Sequence, residues 1–442
     1  MGQNLTKFNS PTSVRDLPYP SKWDIIPIHA SDRATFKYCR RQWAWSSPMK
    51  NNLVPRSQVY GIREPLWFGT GIHYALEKFY DPTLKEDPVA VWLAWFDLQW
   101  DGGITTDEEI KRFGLSDREP IGLKDGTFKV EGLSDLLPFA DEEHFAEVRD
   151  LGKGMMEFYK YYAGEHDDFE VLAVEHDFSV PILDSDGSPL YMVDKRVMPE
   201  DWEPNFDEGN IYGPLMYEDG PYDQIYKQVH ARGRMDKIIR QYYNNRHGIL
   251  DHKTTARLDE DYFRHLELDE QATTYLWAGQ REAEMYDLPY KSLDFIIFEG
   301  LYKAYPKAPK ILKSGMPSLS KSDPENSTTA AKFEATIDLL GLRVVFDNDP
   351  KMQGFYTWLL EQGDKRFIDR RETWRNEIQR RNAGIRLHAE AVDMLSDPKL
   401  YPSPRKEYGC LNCPFRAPCI AAESGADYKS MLEDGYVKNW DR

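Results

Sequence analysis

Three charged residues around one predicted β-hairpin have the types and spacing needed for metal-assisted chemistry. The stretch from Gly233 to Lys253 reads as two short strands, which a polar turn over residues 244–248 joins. Side chains alternate along a strand, so Asp251 and Lys253 point the same way, and the hairpin places Asp236 beside them. Carboxylates suit a hard divalent cation, and a nearby lysine can act on a metal-activated water. The alternative is a hairpin with solvated charges.

A further candidate ligand, His73, lies in a stretch with helical periodicity. Ile72, Leu76 and Phe79 recur at the spacing of one helix face, and His73 lies beside that face. Imidazole is a common metal ligand, but an ordinary, partly buried histidine is the alternative. Glu175, in a later alternating stretch, is another acidic residue that the fold could bring near this site.

The four cysteines of the chain form a second candidate site. Cys410, Cys413 and Cys419 lie within ten residues of sequence, and Cys39 is the only other cysteine. Thiolates at this density suit an iron–sulfur cluster or zinc, and three cysteines with a histidine around zinc are the alternative to four cysteines. If Cys39 takes part, the site fastens the N-terminal segment to the C-terminus. Disulfides are not expected in a long chain without an export signal.

Length and composition predict a large folded protein. Of the 442 residues, 41% are hydrophobic and 13% aromatic, which is enough to bury a sizeable core. The sequence has no apolar run that approaches the ~20 residues of a membrane span, and no signal peptide is apparent. We therefore expect a cytoplasmic protein without a membrane partner.

The acidic residues are unevenly distributed. The net charge of −18 argues against a nucleic-acid partner. However, residues 81–150 carry 18 Asp/Glu against 7 Lys/Arg, and residues 181–224 carry 11 against 2. Residues 224–256, around the predicted hairpin, carry seven Lys/Arg and two Asp. The candidate site thus lies in a basic part of the chain, and nucleic acid is not excluded.

Periodicity and composition divide the chain into four regions. They are an N-terminal segment at 1–80 with the Cys39 and His73 helices, a helical region with an acidic insertion at 81–169, core strands at 170–345 with an acidic insertion at 183–222, and C-terminal helices with the clustered cysteines at 346–442.

Several elements inside these regions are predicted from local patterns. Ser31 to Trp45 reads as one helix that contains Cys39. Alternation in the first core strand places Val171, Ala173 and Glu175 on one face. Further patterns predict a strand at residues 341–346 and a helix at residues 369–396, and Gln271 and Tyr275 lie one turn apart on another helix.

Taken together, these motifs resemble the RecB-like branch of the PD-(D/E)XK nucleases. More narrowly, they are similar to its iron–sulfur subgroup, which includes AddB-type and CRISPR-associated DNA exonucleases. One departure is Leu250 in the place of the motif's nominal proline, and another is the length of the insertion at 183–222. The matching elements follow the family's order: the Cys39 helix, Gly69–Glu77 with His73, Gly233–Asp236, Asp251–Lys253, Gln271–Tyr275, and Cys410, Cys413 and Cys419.

The resemblance implies a restriction-endonuclease-like α/β fold. A mixed central sheet would be flanked by helices and closed by an iron–sulfur cluster that joins the N- and C-terminal segments. His73, Asp236 and Asp251 would coordinate Mg²⁺ or Mn²⁺, with the backbone carbonyl of His252 as a further ligand. Lys253 would orient or activate the attacking water. The remaining implied roles are DNA contacts for Gln271 and Tyr275, and [4Fe–4S] ligation for Cys39, Cys410, Cys413 and Cys419.

The implied activity is that of a metal-dependent DNA exonuclease acting at single-stranded ends in recombination, repair or end processing. DNA, either single-stranded or with duplex ends, would be the partner, and the acidic insertions could bind a protein. The alternatives are a non-catalytic DNA- or protein-binding module with the same fold and a structure-specific endonuclease. No G-x-x-x-x-G-K-[ST] loop occurs, so a fused helicase is not expected.

Overall fold

A mixed β-sheet forms the centre of the computed structural model. The structure describes residues 24–56, 64–100, 104–105, 121–122, 128–129, 142–193, 226–267, 269–396, 401–403 and 407–438. The start of the predicted N-terminal segment and most of the predicted insertion at 183–222 lie outside these ranges. The strands are β1 (Ile26–His29), β2 (Leu53–Pro55), β3 (Ile104–Thr105), β4 (Ile121–Gly122), β5 (Phe128–Lys129), β6 (Phe169–Pro181), β7 (Tyr191–Val193), β8 (Tyr226–Gln241), β9 (His247–Thr255), β10 (Phe295–Tyr302), β11 (Ile368–Trp374) and β12 (Tyr436–Lys438).

Seven of the described strands form the central sheet. Its strands β1, β8, β9, β10 and β11 follow one another in that order, and β6 and β7 also pair with β8. β1 is parallel to β8 and β9 is parallel to β10, whereas the other pairs are antiparallel. The predicted mixed sheet is therefore confirmed. Its strands β1 and β11 come from outside the predicted core region at 170–345.

Helices pack on the sheet and around its edges. No helix among the described residues has both the length and the hydropathy that crossing a bilayer requires. The helices are α1 (Ala30–Tyr38), α2 (Arg40–Ser46), α3 (Glu64–Tyr80), α4 (Pro88–Trp100), α5 (Glu142–His166), α6 (Glu260–Glu267), α7 (Glu270–Met285), α8 (Ala330–Leu339), α9 (Arg343–Asn348), α10 (Pro350–Gln362), α11 (Glu377–Leu395), α12 (Glu407–Leu411), α13 (Arg416–Ser424) and α14 (Tyr428–Gly435).

Two apolar clusters cover the two faces of the sheet. One cluster joins the sheet to α1, α2, α7 and α11 and includes Ile238 and Ile249. The other joins it to α3, α4 and α5 and includes Ile239 and Leu250. Neighbouring residues on β8 and β9 thus contribute to opposite faces, as the strand period requires. Both strands of the predicted hairpin are buried on both faces, which gives the candidate site a rigid support.

The Cys39 segment differs from its prediction as one helix. Helix α1 ends at Tyr38 and α2 begins at Arg40, because Cys39 has an extended backbone with φ −158° and ψ 107°. Its sulfur accepts the backbone N–H of Gln42 at 3.4 Å and so caps α2. The break places Cys39 at a helix end.

The chain between β10 and β11 forms a lobe with its own core. Phe333 on α8, Phe346 on α9 and Phe355 on α10 are buried together there. The strand predicted at residues 341–346 is wrong, because Phe346 packs into this core from a helix. The helix predicted at residues 369–396 is correct only from Glu377 onward, since β11 occupies its first part and completes the sheet.

Candidate active site

Asp236 and Asp251 lie just beyond the paired part of the β8–β9 hairpin. Antiparallel pairing of the two strands runs from Arg240 and His247 to Lys237 and Leu250. Beyond these residues the strands separate, and β9 continues its pairing with β10 instead. The register of the strands thus places Asp236 and Asp251 at the two positions directly beyond the last paired residues, at the open end of the hairpin.

Asp236 is oriented by contacts from two other elements. Its Oδ2 accepts the backbone N–H of His252 at 2.9 Å and lies 3.3 Å from Nδ1 of His73 on α3. Ile72 and Leu76 are fully buried and seat that helix on the sheet. The predicted helix face thus brings His73 to the aspartate.

The surroundings of His73 and Asp236 favour a neutral imidazole and an ionised carboxylate, which are the forms that bind a metal ion. Burial lowers the pKa of His73, which keeps an imidazole nitrogen available to a cation. Burial opposes ionisation of Asp236, but its electrostatic interactions with His73 and Lys237 outweigh burial and lower the pKa of the aspartate.

A β-bulge in β6 brings Glu175 to the same place. The register with β8 shifts between Val171 and Ala173, so these residues pack into different apolar clusters. The predicted common face of Val171, Ala173 and Glu175 is therefore wrong. Glu175 itself has φ 45°, which is uncommon for a residue with a Cβ. Among the described residues, it forms with His73 and Asp236 the one group of three potential metal ligands whose donor atoms lie within 4.8 Å of one another.

Glu175 is the site residue that sequence reasoning underestimated. Alternation along β6 predicts a face for it but contains no signal for the bulge. Burial and the neighbouring Asp236 raise the pKa of Glu175 to about 7. Two carboxylates crowded in this way repel each other, and a divalent cation between them would relieve the repulsion.

Asp251 and Lys253 form an ion pair beside this group. The lysine Nζ lies 2.9 Å from Oδ2 of Asp251, although this oxygen has no hydrogen bond of ordinary geometry among the described residues. Burial raises the pKa of Asp251 to about 7, with Asp236 adding to the effect. Burial acts in the opposite sense on Lys253, but Asp251 and Asp236 outweigh it and raise the pKa of the ammonium. Lys253 therefore remains charged, and the under-bonded carboxylate suits a cation.

The predicted pair Gln271 and Tyr275 lies on α7 next to these charges. Gln271 Nε2 donates to the Tyr275 hydroxyl at 2.8 Å. Burial raises the pKa of Tyr275 to about 12, and Asp251 contributes to the rise. Gly233 on β8 leaves room for two rings, because a Cβ there would lie 2.7 Å from Phe178 and 3.0 Å from Tyr275. Gln271 and Tyr275 therefore lie beside the charged residues of the site.

The four cysteines surround a separate cavity. A space of about 390 Å³ is lined by Cys39 at the start of α2 and by Cys410, Cys413 and Cys419 near the C-terminus. Burial and the other three sulfurs raise the pKa of Cys413. The structure thus brings together all four predicted ligands. An unpredicted neighbour, Arg41, donates to the Cys419 sulfur at 3.3 Å.

Comparison with known proteins gives one family match. The family model described as the PD-(D/E)XK nuclease superfamily matches residues 30–420, which is most of the chain. The match begins at the first residue of α1 and ends just after Cys419, the last cysteine. A search of curated proteins found no match to the chain.

Proposed function

The chain belongs to the PD-(D/E)XK nuclease superfamily, and from this premise we propose that it is a metal-dependent DNA exonuclease that hydrolyses phosphodiester bonds at single-stranded ends. The observation that carries the proposal is the approach of His73, Glu175 and Asp236 to within 4.8 Å of one another. Such a set of oxygen and imidazole donors suits Mg²⁺ or Mn²⁺. The adjacent pair Asp251 and Lys253 supplies the other charges that phosphodiester hydrolysis requires.

Each residue has a separate role in this proposal. His73, Asp236 and Asp251 hold the cation, with the carbonyl of His252 as a further ligand. We add Glu175 to this set because of its distance to His73 and Asp236. A bound divalent cation supplies a water of lowered pKa and an electrostatic partner for the phosphate.

Lys253 acts on the substrate side of the site. Its ammonium remains charged, so it can orient the attacking water and stabilise the charge that develops on the scissile phosphate. Gln271 and Tyr275 line the path of the DNA from α7.

The cysteine cavity is proposed to hold a [4Fe–4S] cluster. Tetrahedral zinc with Zn–S bonds of about 2.3 Å requires sulfurs about 3.8 Å apart. No three of the four cysteine sulfurs approach within 4.8 Å of one another. This wider spacing favours a larger inorganic group over zinc. The cluster would join α2 to α12 and α13 and so hold the two ends of the chain together.

Cleavage of labelled DNA tests the proposed function. Anaerobically purified protein is incubated with 5′- or 3′-labelled single-stranded DNA and with covalently closed circles, in Mg²⁺, Mn²⁺ or EDTA. We expect metal-dependent shortening of the linear DNA only, which Lys253→Ala abolishes. Cleavage of the circles would instead identify an endonuclease. Absence of all cleavage by the folded, cluster-containing protein would contradict the enzyme and support the binding module.

A further inference from the structure

Buried polar groups lie on the face of the hairpin opposite to Asp236 and Asp251. Lys237 and His252 each follow one of these aspartates in sequence, so their side chains point to the other face. The Lys237 Nζ lies 3.0 Å from Nδ1 of His252, and the His252 Nε2 lies 2.7 Å from Oε2 of Glu299 on β10. The exposure of each of these three residues is 1% or less. The chemistry proposed above does not use their side chains.

The contacts of His252 with Lys237 and Glu299 select one tautomer of its ring, and the Tyr159 hydroxyl also lies 2.9 Å from Nε2. An ammonium only donates, so Nδ1 accepts from Lys237, and Nε2 carries the proton that it donates to Glu299. Rotation of the ring would leave a buried donor or acceptor without a partner, which is unfavourable. His252 is therefore held from both sides.

Glu299 is in turn anchored by residues of two further elements, α5 and β11. Tyr159 on α5 donates its hydroxyl to Glu299 at 2.6 Å, and Arg370 on β11 forms an ion pair with the other oxygen. Arg370 also lies 2.6 Å from Asp167, which accepts the hydroxyl of Tyr80 on α3 at 2.8 Å. We call these residues, together with Lys237 and His252, the buried network. It links α3 and α5 to four strands of the sheet, β8, β9, β10 and β11.

The buried network contacts α3 and the β8–β9 hairpin, which carry the candidate metal ligands His73, Asp236 and Asp251. Tyr80 lies seven residues after His73 on α3, which is about two helical turns. It therefore fixes the helix that presents this histidine. At the other end, the backbone N–H of His252 donates to Asp236 at 2.9 Å. A shift of the network would change the position of His73 relative to Asp236.

We propose that His252 and Glu299 are positioning residues that hold the α3 helix and the β8–β9 hairpin at the separation that a divalent cation requires. This inference rests on the proposed metal site and deepens it. The second residue of the Asp251–Lys253 motif thus acts through its side chain as well as through its backbone. Groups that orient metal ligands in this way typically change metal affinity by roughly 10- to 100-fold.

Binding of Mn²⁺ in the absence of DNA tests the proposal. The full chain with its cysteine site loaded is titrated with Mn²⁺, and the signal of the free ion is followed by electron paramagnetic resonance. We expect Glu299→Gln to weaken Mn²⁺ binding by roughly 10- to 100-fold, and Tyr159→Phe to weaken it less. The matched control is Glu390→Gln. Glu390 lies on α11, and its carboxylate is 2.5 Å from the guanidinium of the buried Arg33. The Glu390→Gln variant should be less stable than the parent protein but should bind Mn²⁺ with the same affinity.

Thermal unfolding of the same samples separates positioning from folding. If Glu299→Gln and Tyr159→Phe are folded and bind Mn²⁺ within about twofold of the parent, the buried network is only structural and the inference is overturned. Equal weakening by Glu390→Gln would overturn it as well, since the effect would then be general. A folded parent that does not bind Mn²⁺ would overturn the metal site itself, and the inference with it.

Discussion

The Lys253 ammonium lies 2.9 Å from Oδ2 of Asp251, two residues earlier on the same strand. A strand places alternate side chains on one face, so this contact follows directly from the Asp-x-Lys spacing. Without a cation, the ammonium is the counter-ion of a buried carboxylate. In the proposed mechanism, a bound cation would neutralise that carboxylate and leave the ammonium to interact with the phosphate.

Replacement of Lys253 separates these two roles. We expect Lys253→Met to lower the single-turnover rate of DNA cleavage by at least about 100-fold, because the charge that stabilises the transition state is lost. Binding of Mn²⁺ should persist, since the carboxylates remain. The control is Lys310→Ala, which removes a surface lysine paired with Glu325. A Lys253→Met rate near that of the parent would contradict the assigned role.

Glu175 allows a test that separates strain from ligation. Asparagine adopts positive φ more readily than glutamate, so Glu175→Asn should change the free energy of unfolding by no more than about 1 kcal/mol. Loss of the carboxylate should nevertheless weaken Mn²⁺ binding by at least about tenfold. Urea denaturation and Mn²⁺ titration measure the two effects. Glu170→Gln, on the same strand and paired with Arg240, is the control, and unchanged Mn²⁺ affinity in Glu175→Asn would exclude Glu175 as a ligand.

The parts of the site that could be predicted depend on short-range spacing. The Asp251–Lys253 contact follows from the strand period, and the Gln271–Tyr275 contact follows from the helix period. The hairpin was predicted because its polar turn separates two apolar stretches. In each case the residues that determine the geometry are a few positions apart in the sequence.

The parts that could not be predicted depend on tertiary contacts. The bulge that turns Glu175 toward Asp236 depends on the pairing of β6 with β8. The alternation of residues along β6 does not predict it. A strand is predicted at residues 341–346, yet Phe346 packs from a helix into the core of a separate lobe. The partners of His252 come from distant elements, and no local pattern contains them.

Buried His230 should make stability depend on pH. Its Nδ1 lies 3.0 Å from Ser179 Oγ and its Nε2 3.0 Å from Gln228 Oε1, and burial lowers the pKa of the ring to about 4. The unfolded chain, with a pKa near 6.5, then binds a proton that the folded chain does not. The stability due to the neutral ring is therefore complete above pH 6.5 and is lost as the pH falls from there to about 4.

The expected contribution of His230 is about 3 kcal/mol over this range. Urea denaturation above pH 7 and near pH 4 measures it as the difference between the parent and His230→Gln. The variant should lose less stability than the parent on acidification. His265→Gln, which replaces an exposed histidine, controls for the loss of a histidine as such. Equal acid sensitivity in the parent and His230→Gln would show that the ring does not take up the proton.

The cysteine cavity predicts that the two ends of the chain depend on one metal cluster. Cys39, from the N-terminal part of the chain, and Cys410, from the C-terminal part, both line the cavity. We therefore expect Cys39→Ser and Cys410→Ser to lose bound iron to the same extent. Each should also lower the melting temperature by about 5 °C or more, because the cluster that links the two segments is lost. Iron and zinc analysis of anaerobically purified protein, with thermal unfolding, measures both effects. Ser403→Ala, which also lines the cavity, should retain metal and stability. Full iron content in Cys39→Ser would exclude Cys39 as a ligand, and zinc in place of iron would contradict the proposed cluster.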